Sequence, residues 1–395
     1  MGINYKSLVE NWKKFPAESK VHLKESLKKK AILAKELDFG RLFEQIFGFE
    51  EFRACRSSRD RSVHSVFEAA GAVSTAAFKD ISGQIVYQST LDAYQNEEFV
   101  FSKIIPERTS IYTFEKVPGI TGIGPGNDDE WIVEEGQDFQ TVGVSQDWIN
   151  MPETQKRGKI VPITREAIFF DRTQMVQDKC SEVGYWLGYN SEMRAIDCIV
   201  DENGGAKSAA SGGHRYHWRD TSYATYGDSP WDNLAASNAL VDWTSLNAAE
   251  QLLNEMVDPN TGAPFLITPN TIIVTKQLEK VAMRIAHATE VQAVTPGFNT
   301  SGNPSIARAD NPYAGYNLKV LSSRLLAQRM ATKTSWFFGN PEKAFARVVN
   351  FPFQTTQAPP NNEDEFKRDI VTQFRTDVRD AYGTVNPRLM AKSTA

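Results

Sequence analysis

Residues 171–204 read DRTQMVQDKCSEVGYWLGYNSEMRAIDCIVDENG. Val176, Cys180, Val183, Leu187, Met193, Ile196 and Val200 recur mostly three and four positions apart, which puts them on one face of an α-helix. Asp171 is a good N-cap and Gly204 a good C-terminal stop. At ~1.5 Å per residue, roughly 30 residues make a helix of about 45 Å. That is nearly three times the length of an average globular helix, and long enough to be a mechanical spine. Cys180 and Cys198 lie about five turns apart on it, cannot meet, and read as small packing residues.

Upstream of this helix the chain changes texture. IYTFEKV (111–117) alternates apolar and polar residues as a half-exposed strand does. PGITGIGPGNDDEWIVEEGQDF (118–139) is dense in glycine and acid, and no Lys or Arg occurs between Lys116 and Lys156. KRGKIVPITREAIFF (156–170) returns as an extended, apolar-rich run. Two extended arms around a long acidic excursion predict a projecting two-stranded ribbon, marginal alone in water and in need of a neighbouring surface.

The N-terminal segment reads as helical. AESKVHLKESLKKKAILAKELD (17–38) is amphipathic with a narrow apolar stripe and is expected to stop near Gly40; a further helical stretch is expected around 62–80. These helices hold too few large apolar residues for a core of their own, so their apolar faces must dock elsewhere. Downstream, TSLNAAEQLLNEMVDPNTG (244–262) predicts an amphipathic helix, and PNTIIVTKQLEKVAMRIAHAT (269–289) a strand running straight into a helix. Strands are expected at 317–323, 334–340 and 343–353, and again from 368 to 379 before a turn at Gly383. The mixture is α+β, with no repeat at solenoid periods.

The totals exclude several classes. The 395 residues, 41% apolar and 24% charged, suit a folded chain of two or three domains. Residues 1–70 carry 14 Lys and Arg against 10 Asp and Glu, a net of +4; the rest carries 30 against 39, a net of −9. A mildly basic arm on an acidic body reads first as a solvated helix face, and second as a polyanion contact. No apolar run approaches the ~18 residues of a membrane span, and the lysine-rich first 30 residues lack a signal core. Three cysteines make no disulfide framework, which fits assembly in a reducing cytosol.

The most site-like patch is GGHRYHWRD (212–220). His214 and His217 could be two ligands of a metal, with Asp220 or Asp228 recruited, and a metal-dependent enzyme is the alternative of another class. Yet no Cys-x-x-Cys or His-Glu-x-x-His accompanies them, and the flanking glycines loosen the loop. The better reading is an aromatic excursion packed on the body by Tyr216, Trp218, Tyr223, Tyr226 and Trp231. There is no G-x-S-x-G elbow, phosphate loop or dinucleotide fingerprint. No catalytic residue, metal ligand or cofactor site is therefore assigned. An overall charge of −5 gives no basic footprint for nucleic acid, so a DNA-binding scaffold using the basic arm is a third reading only.

The order of elements itself carries a resemblance. EWIVEEGQDF with GKIVPITREAIFFD, the PNTIIV strand feeding a helix, and the ending FKRDIVTQFRTDVRDAYGTVNP are similar, in that order, to the extended loop, axial-domain core and closing peripheral strands of tailed-bacteriophage major capsid proteins of the HK97-type fold. The likeness covers roughly residues 100–392. It implies an arm or scaffolding-like segment at 1–80, the start of a peripheral domain at 81–117, an extended loop at 118–165, and spine helix with insertion at 166–243. An axial domain at 244–335 and closing strands with a tail at 336–395 complete it.

The resemblance further implies self-assembly into pentamers and hexamers of an icosahedral shell. Portal, scaffold or decoration proteins are candidate partners, with packaged double-stranded DNA contacted non-specifically and no membrane. The location implied is the virion, after assembly in the host cytoplasm; an encapsulin-like compartment shell is the alternative within the fold. The extended loop of one subunit would lie over its neighbour. Candidate contacts are Asp128, Asp129, Glu130, Trp131, Glu134 and Glu135 on the loop, and Arg172, Lys179 and Arg194 on the spine that receives it. Some relatives weld subunits through a lysine of this loop; with none between 117 and 155, no such crosslink is expected.

Overall fold

The computed structural model describes residues 10–12, 16–29, 38–49, 71–110, 116–118, 132–139, 148–150, 153–164, 173–201, 216–218, 221–223, 226–227, 233–257, 264, 266–295, 305–358 and 370–395. The elements are α1 (Pro16–Lys28), α2 (Phe39–Phe47), α3 (Gly71–Tyr94), α4 (Phe101–Ile104), β1 (Glu107–Thr109), β2 (Lys116–Pro118), β3 (Trp148–Asn150) and β4 (Gln155–Thr164). Next come α5 (Thr173–Val200), β5 (Tyr216–Trp218), β6 (Thr221–Tyr223), β7 (Leu234–Ala235), α6 (Trp243–Asn254), β8 (Thr271–Thr275), α7 (Glu279–His287), β9 (Glu290–Thr295) and β10 (Ser305–Asp310). The chain closes with β11 (Lys319–Ser323), α8 (Leu326–Arg329), β12 (Trp336–Gly339), α9 (Pro341–Ala344), β13 (Phe345–Gln357), β14 (Ile370–Thr384), a 3₁₀ turn (Pro387–Leu389) and β15 (Met390–Ser393). The architecture is α+β.

Two compact units emerge, one of residues 1–99, 155–191 and 351–379, the other of 100–154, 192–350 and 380–395. In the first, α1 and α2 lie on α3, burying Leu23, Leu27, Leu42, Phe43 and Ile46. This meets the need for a surface that the weak apolar stripe of the arm created. Gly40 sits inside α2 instead of stopping a helix, and α3 runs on to Tyr94, well past the expected end at 80.

The first half of α5 belongs to the same unit. Gly184 and Gly188, one turn apart on a single face, let it approach the end of α3. A Cβ at Gly184 would strike the Thr90 carbonyl oxygen, and one at Gly188 would lie 2.6 Å from that of Tyr94 and 2.7 Å from the Phe99 ring. Ser89 and Ser181 hydroxyls close the seam at 2.9 Å. The helix has 28 residues, about 42 Å by its rise. It ends at Val200, earlier than Gly204, because Asp201 takes a left-handed φ of 42°. Aspartate tolerates that conformation through its short polar side chain. The proposed N-cap Asp171 lies outside the described residues.

The second unit is built on a five-stranded sheet, β11-β8-β12-β15-β7. TIIVT of β8 is buried throughout because both its faces are covered. Ile272 and Val274 join Trp336, Phe338 and Ala391 in a cluster closed by α6 and α7. Ile273, Phe337 and Met390 face the other way, against Ala195, Ile196, Ile199 and Val200 at the end of α5. The strand of the expected strand-into-helix at 269–289 thus separates two cores on opposite faces of one sheet. β14 continues straight through Gly383 to Thr384, where a turn was expected.

A four-stranded sheet has the order β1-β13-β14-β4. It corrects the ribbon: the strand that pairs with Lys116–Pro118 is Trp148–Asn150, antiparallel, and not the run from 156. β4 is instead an edge strand beside β14, and Gly158 makes this possible, since a Cβ there would strike the Thr376 carbonyl oxygen. Another two-stranded ribbon, β9 with β10, has no counterpart among the strands expected from the sequence.

Candidate assembly surface

Residues 132–139 are the described part of the acidic loop. Gly136, at φ +90°, occupies the third position of a turn closed by the Gln137 N–H donating to the Glu134 carbonyl at 3.0 Å. Positive φ at that position suits glycine. The turn presents Glu134 and Glu135 to solvent, flanked by Ile132 at 67% and Phe139 at 84% exposure. Asp128, Asp129, Glu130, Trp131 and Arg172 lie outside the described residues.

Lys179 is exposed on α5. Arg194, on the same helix, is committed within its own chain: its Nη1 lies 2.8 Å from Oδ1 of the fully buried Asp380. Arg347 grips the other carboxylate oxygen through Nη2 at 2.8 Å and Nε at 2.9 Å, and also pairs with Glu107. Both guanidiniums lie over the Tyr382 ring, 5.2 and 5.6 Å from its centroid. Burial alone would raise the Asp380 carboxyl, but the two arginines overcome it and hold the group below the usual range. Beside them Glu192, also fully buried, accepts from the N–H groups of Val100, Phe101 and Ser102 at 3.0, 2.9 and 2.8 Å. It caps α4, whose own N-cap Val100 has no side chain to do so.

The basic face that the sequence reading left out is β4. Lys156, Arg157 and Lys159 stand along this edge strand, with Lys156 3.7 Å from the buried Asp377. Together with Ile160, Trp186 and Leu187 they line a groove of about 640 Å³ against α5. Trp186 is 56% and Ile160 58% exposed. The helical wheel holds the missed signal: two residues from Gly184 and two from Gly188, Trp186 stands on the side opposite the glycine seam.

His217 lies in β5, paired with Ser222 across the β5–β6 hairpin, while His214 is outside the described residues. Among the described residues no group of three or more His, Cys, Asp or Glu could hold a metal ion, and no helix is long and apolar enough to cross a membrane. Cys180 and Cys198 are free and buried; burial pushes the Cys180 thiol up to about 12.

No curated protein matches the chain. Among solved structures it is similar to a virus-like particle from Pyrococcus furiosus, with 9% identity, 78% of this chain and 97% of that one covered, and a TM-score of 0.41. The capsid of cyanophage P-SCSP1u gives 13% identity, 75% and 88% coverage, and 0.44; Gordonia phage Cozz gives 13%, 75% and 86%, and 0.43. A family model described as phage capsid protein matches residues 151–393, from the start of the return strand through α5 to β15. With well over half of its length inside that match, the chain belongs to the phage capsid protein family.

Proposed function

We propose that this phage capsid protein is the major head protein of a tailed phage, an HK97-type subunit that closes with its own copies into an icosahedral shell around the genome. The observation that carries the reading is the family match across both compact units, from 151 to 393. The exposed apolar side chains support it: Leu266 at 97%, Phe139 at 84% and Trp186 at 56% are surfaces for partners rather than for water. Identical weak contacts, repeated by symmetry, close a shell without any single strong one. The loop acids, Glu134 and Glu135 among them, would lie on a basic surface of the neighbouring subunit, with Arg172 and Lys179 candidates for receiving them. The virion is the place of action, assembly occurs in the host cytoplasm, and portal, scaffold or decoration proteins and non-specifically held DNA are the further partners. No catalysis is part of this role.

Electron microscopy of the recombinant protein after size-exclusion chromatography tests it. Closed shells, or pentamers and hexamers, are expected. A stable 44.3 kDa monomer at high concentration would refute the reading. Shells that enclose a co-expressed enzyme from an adjacent gene, in a locus without portal and terminase genes, would move the assignment to an encapsulin-like compartment.

A further inference from the structure

We infer that the β5–β6 hairpin braces the base of the acidic loop in its own chain, and so sets the loop in place before assembly. The brace is a property of a single chain, while its use in assembly rests on the shell reading above. β2 and β3 pair antiparallel and bracket residues 119–147 of the acidic excursion. β5, the YHW of GGHRYHWRD, lies beside β3, with Cα atoms of the two strands within 8 Å. Both ribbons belong to the same compact unit.

Each ribbon has only three residues per strand, and a two-stranded ribbon of that size is marginal alone in water. Set side by side, each gives the other the neighbour it lacks. They remain separate two-stranded sheets, so packing and charge rather than a common ladder of hydrogen bonds couple them. The composition suits a covered pair: Trp148 and Ile149 in β3, and Tyr216, Trp218 and Tyr223 in the hairpin.

Charge is an independent second observation. Residues 117–155 hold eight carboxylates and no Lys or Arg. Residues 214–223 hold Arg215 and Arg219 against the single Asp220, with His214 and His217 besides. A basic hairpin beside the base of an acidic excursion attracts it, most strongly at low salt. A segment fixed at its base loses its freedom during folding rather than on docking, which lowers the ordering cost of association. The patch that looks most like a chemical site thus has a mechanical use.

Hydrogen exchange of the full-length chain before assembly, read by mass spectrometry, tests the brace. Replacing residues 214–223 by a Gly-Ser chain of equal length should speed exchange at 148–150 about tenfold or more, while β8 stays as protected as in the parent. Arg215→Gln with Arg219→Gln should speed it about threefold at low salt and match the parent at about 1 M salt. Both variants should also lower closed-shell yield at least threefold at limiting protein concentration. A Gly-Ser replacement with β8 protected and 148–150 within about twofold of the parent overturns the inference. If β8 loses protection, the arginine pair decides, and parental exchange at low salt overturns it. Faster exchange with parental shell yield overturns the role in assembly. A parent that forms no oligomer overturns the shell reading, and exchange at 148–150 then still decides the brace.

Discussion

Asp380 offers the sharpest test of the buried charges. Its side chain is fully buried, with Arg347 at 7% and Arg194 at 16% exposure. Asp380→Asn keeps the shape and one acceptor oxygen but removes the negative charge. Two guanidiniums then face one Tyr382 ring, with Arg347 still paired to the half-solvated Glu107. Breaking a buried pair from one side costs about 3–5 kcal/mol, because an uncompensated charge stays behind. With a urea slope of ~3 kcal/mol per molar, the midpoint should fall by about 1.3 M. Replacing all three residues by Met removes the stranded charge and should recover most of that loss.

The pH dependence has a definite sign. The folded Asp380 carboxyl titrates below its unfolded value of ~3.9. Its contribution is therefore present above pH ~4 and is lost as pH falls through the lower folded value. Urea midpoints of the parent across pH 6 to 2.5 should show this acid limb, and Asp380→Asn should lack that part of it. An Asp380→Asn midpoint within about 0.3 M of the parent at pH 7 would refute the reasoning.

Three further outcomes follow from the packing. Glu192→Ala leaves three N–H groups of 100–102 without their acceptor and should cost about 3–5 kcal/mol, whereas Glu192→Gln keeps an oxygen and should cost about half as much; urea titration separates them. Gly184→Ala and Gly188→Ala should each destabilise by about 1–3 kcal/mol although alanine is the better helix former by ~1 kcal/mol, and a raised melting temperature for either would disprove the α3–α5 seam. In a Cys55→Ser background, Cys180, its thiol pushed up to about 12, should resist a disulfide reagent at pH 8 in the folded chain and react fully in 6 M guanidinium.

The elements legible in the sequence were those whose signal is local. The long helix announced itself because 28 residues carry one periodicity, and β8 because every residue of TIIVT is β-branched. What stayed hidden was pairing between distant segments. KRGKIV alternates equally well as the partner of Lys116 and as the partner of β14, roughly two hundred residues on; only Gly158, which removes the clash with Thr376, favours the second. β14 hides a different feature. Its polar residues fall on both faces of the strand, yet Thr376, Asp377 and Asp380 are all buried, and for Asp380 the neutralising groups are Arg194 and Arg347. A charge pattern within one strand cannot tell water from an arginine contributed by another element.

The same reasoning sorts the contact residues read from sequence. Arg194 and Lys179 look alike on a helical net, each a cation on a long amphipathic helix. The partner decides: Arg194 meets a buried carboxylate and turns inward, while Lys179 faces solvent. The basic edge is hidden in the sequence because β4 reads as an arm of the ribbon, which would put Lys156 and Lys159 on the loop that carries the acids. Once β4 is an edge strand of the body, its cations and Trp186 become a surface of opposite sign to residues 132–139.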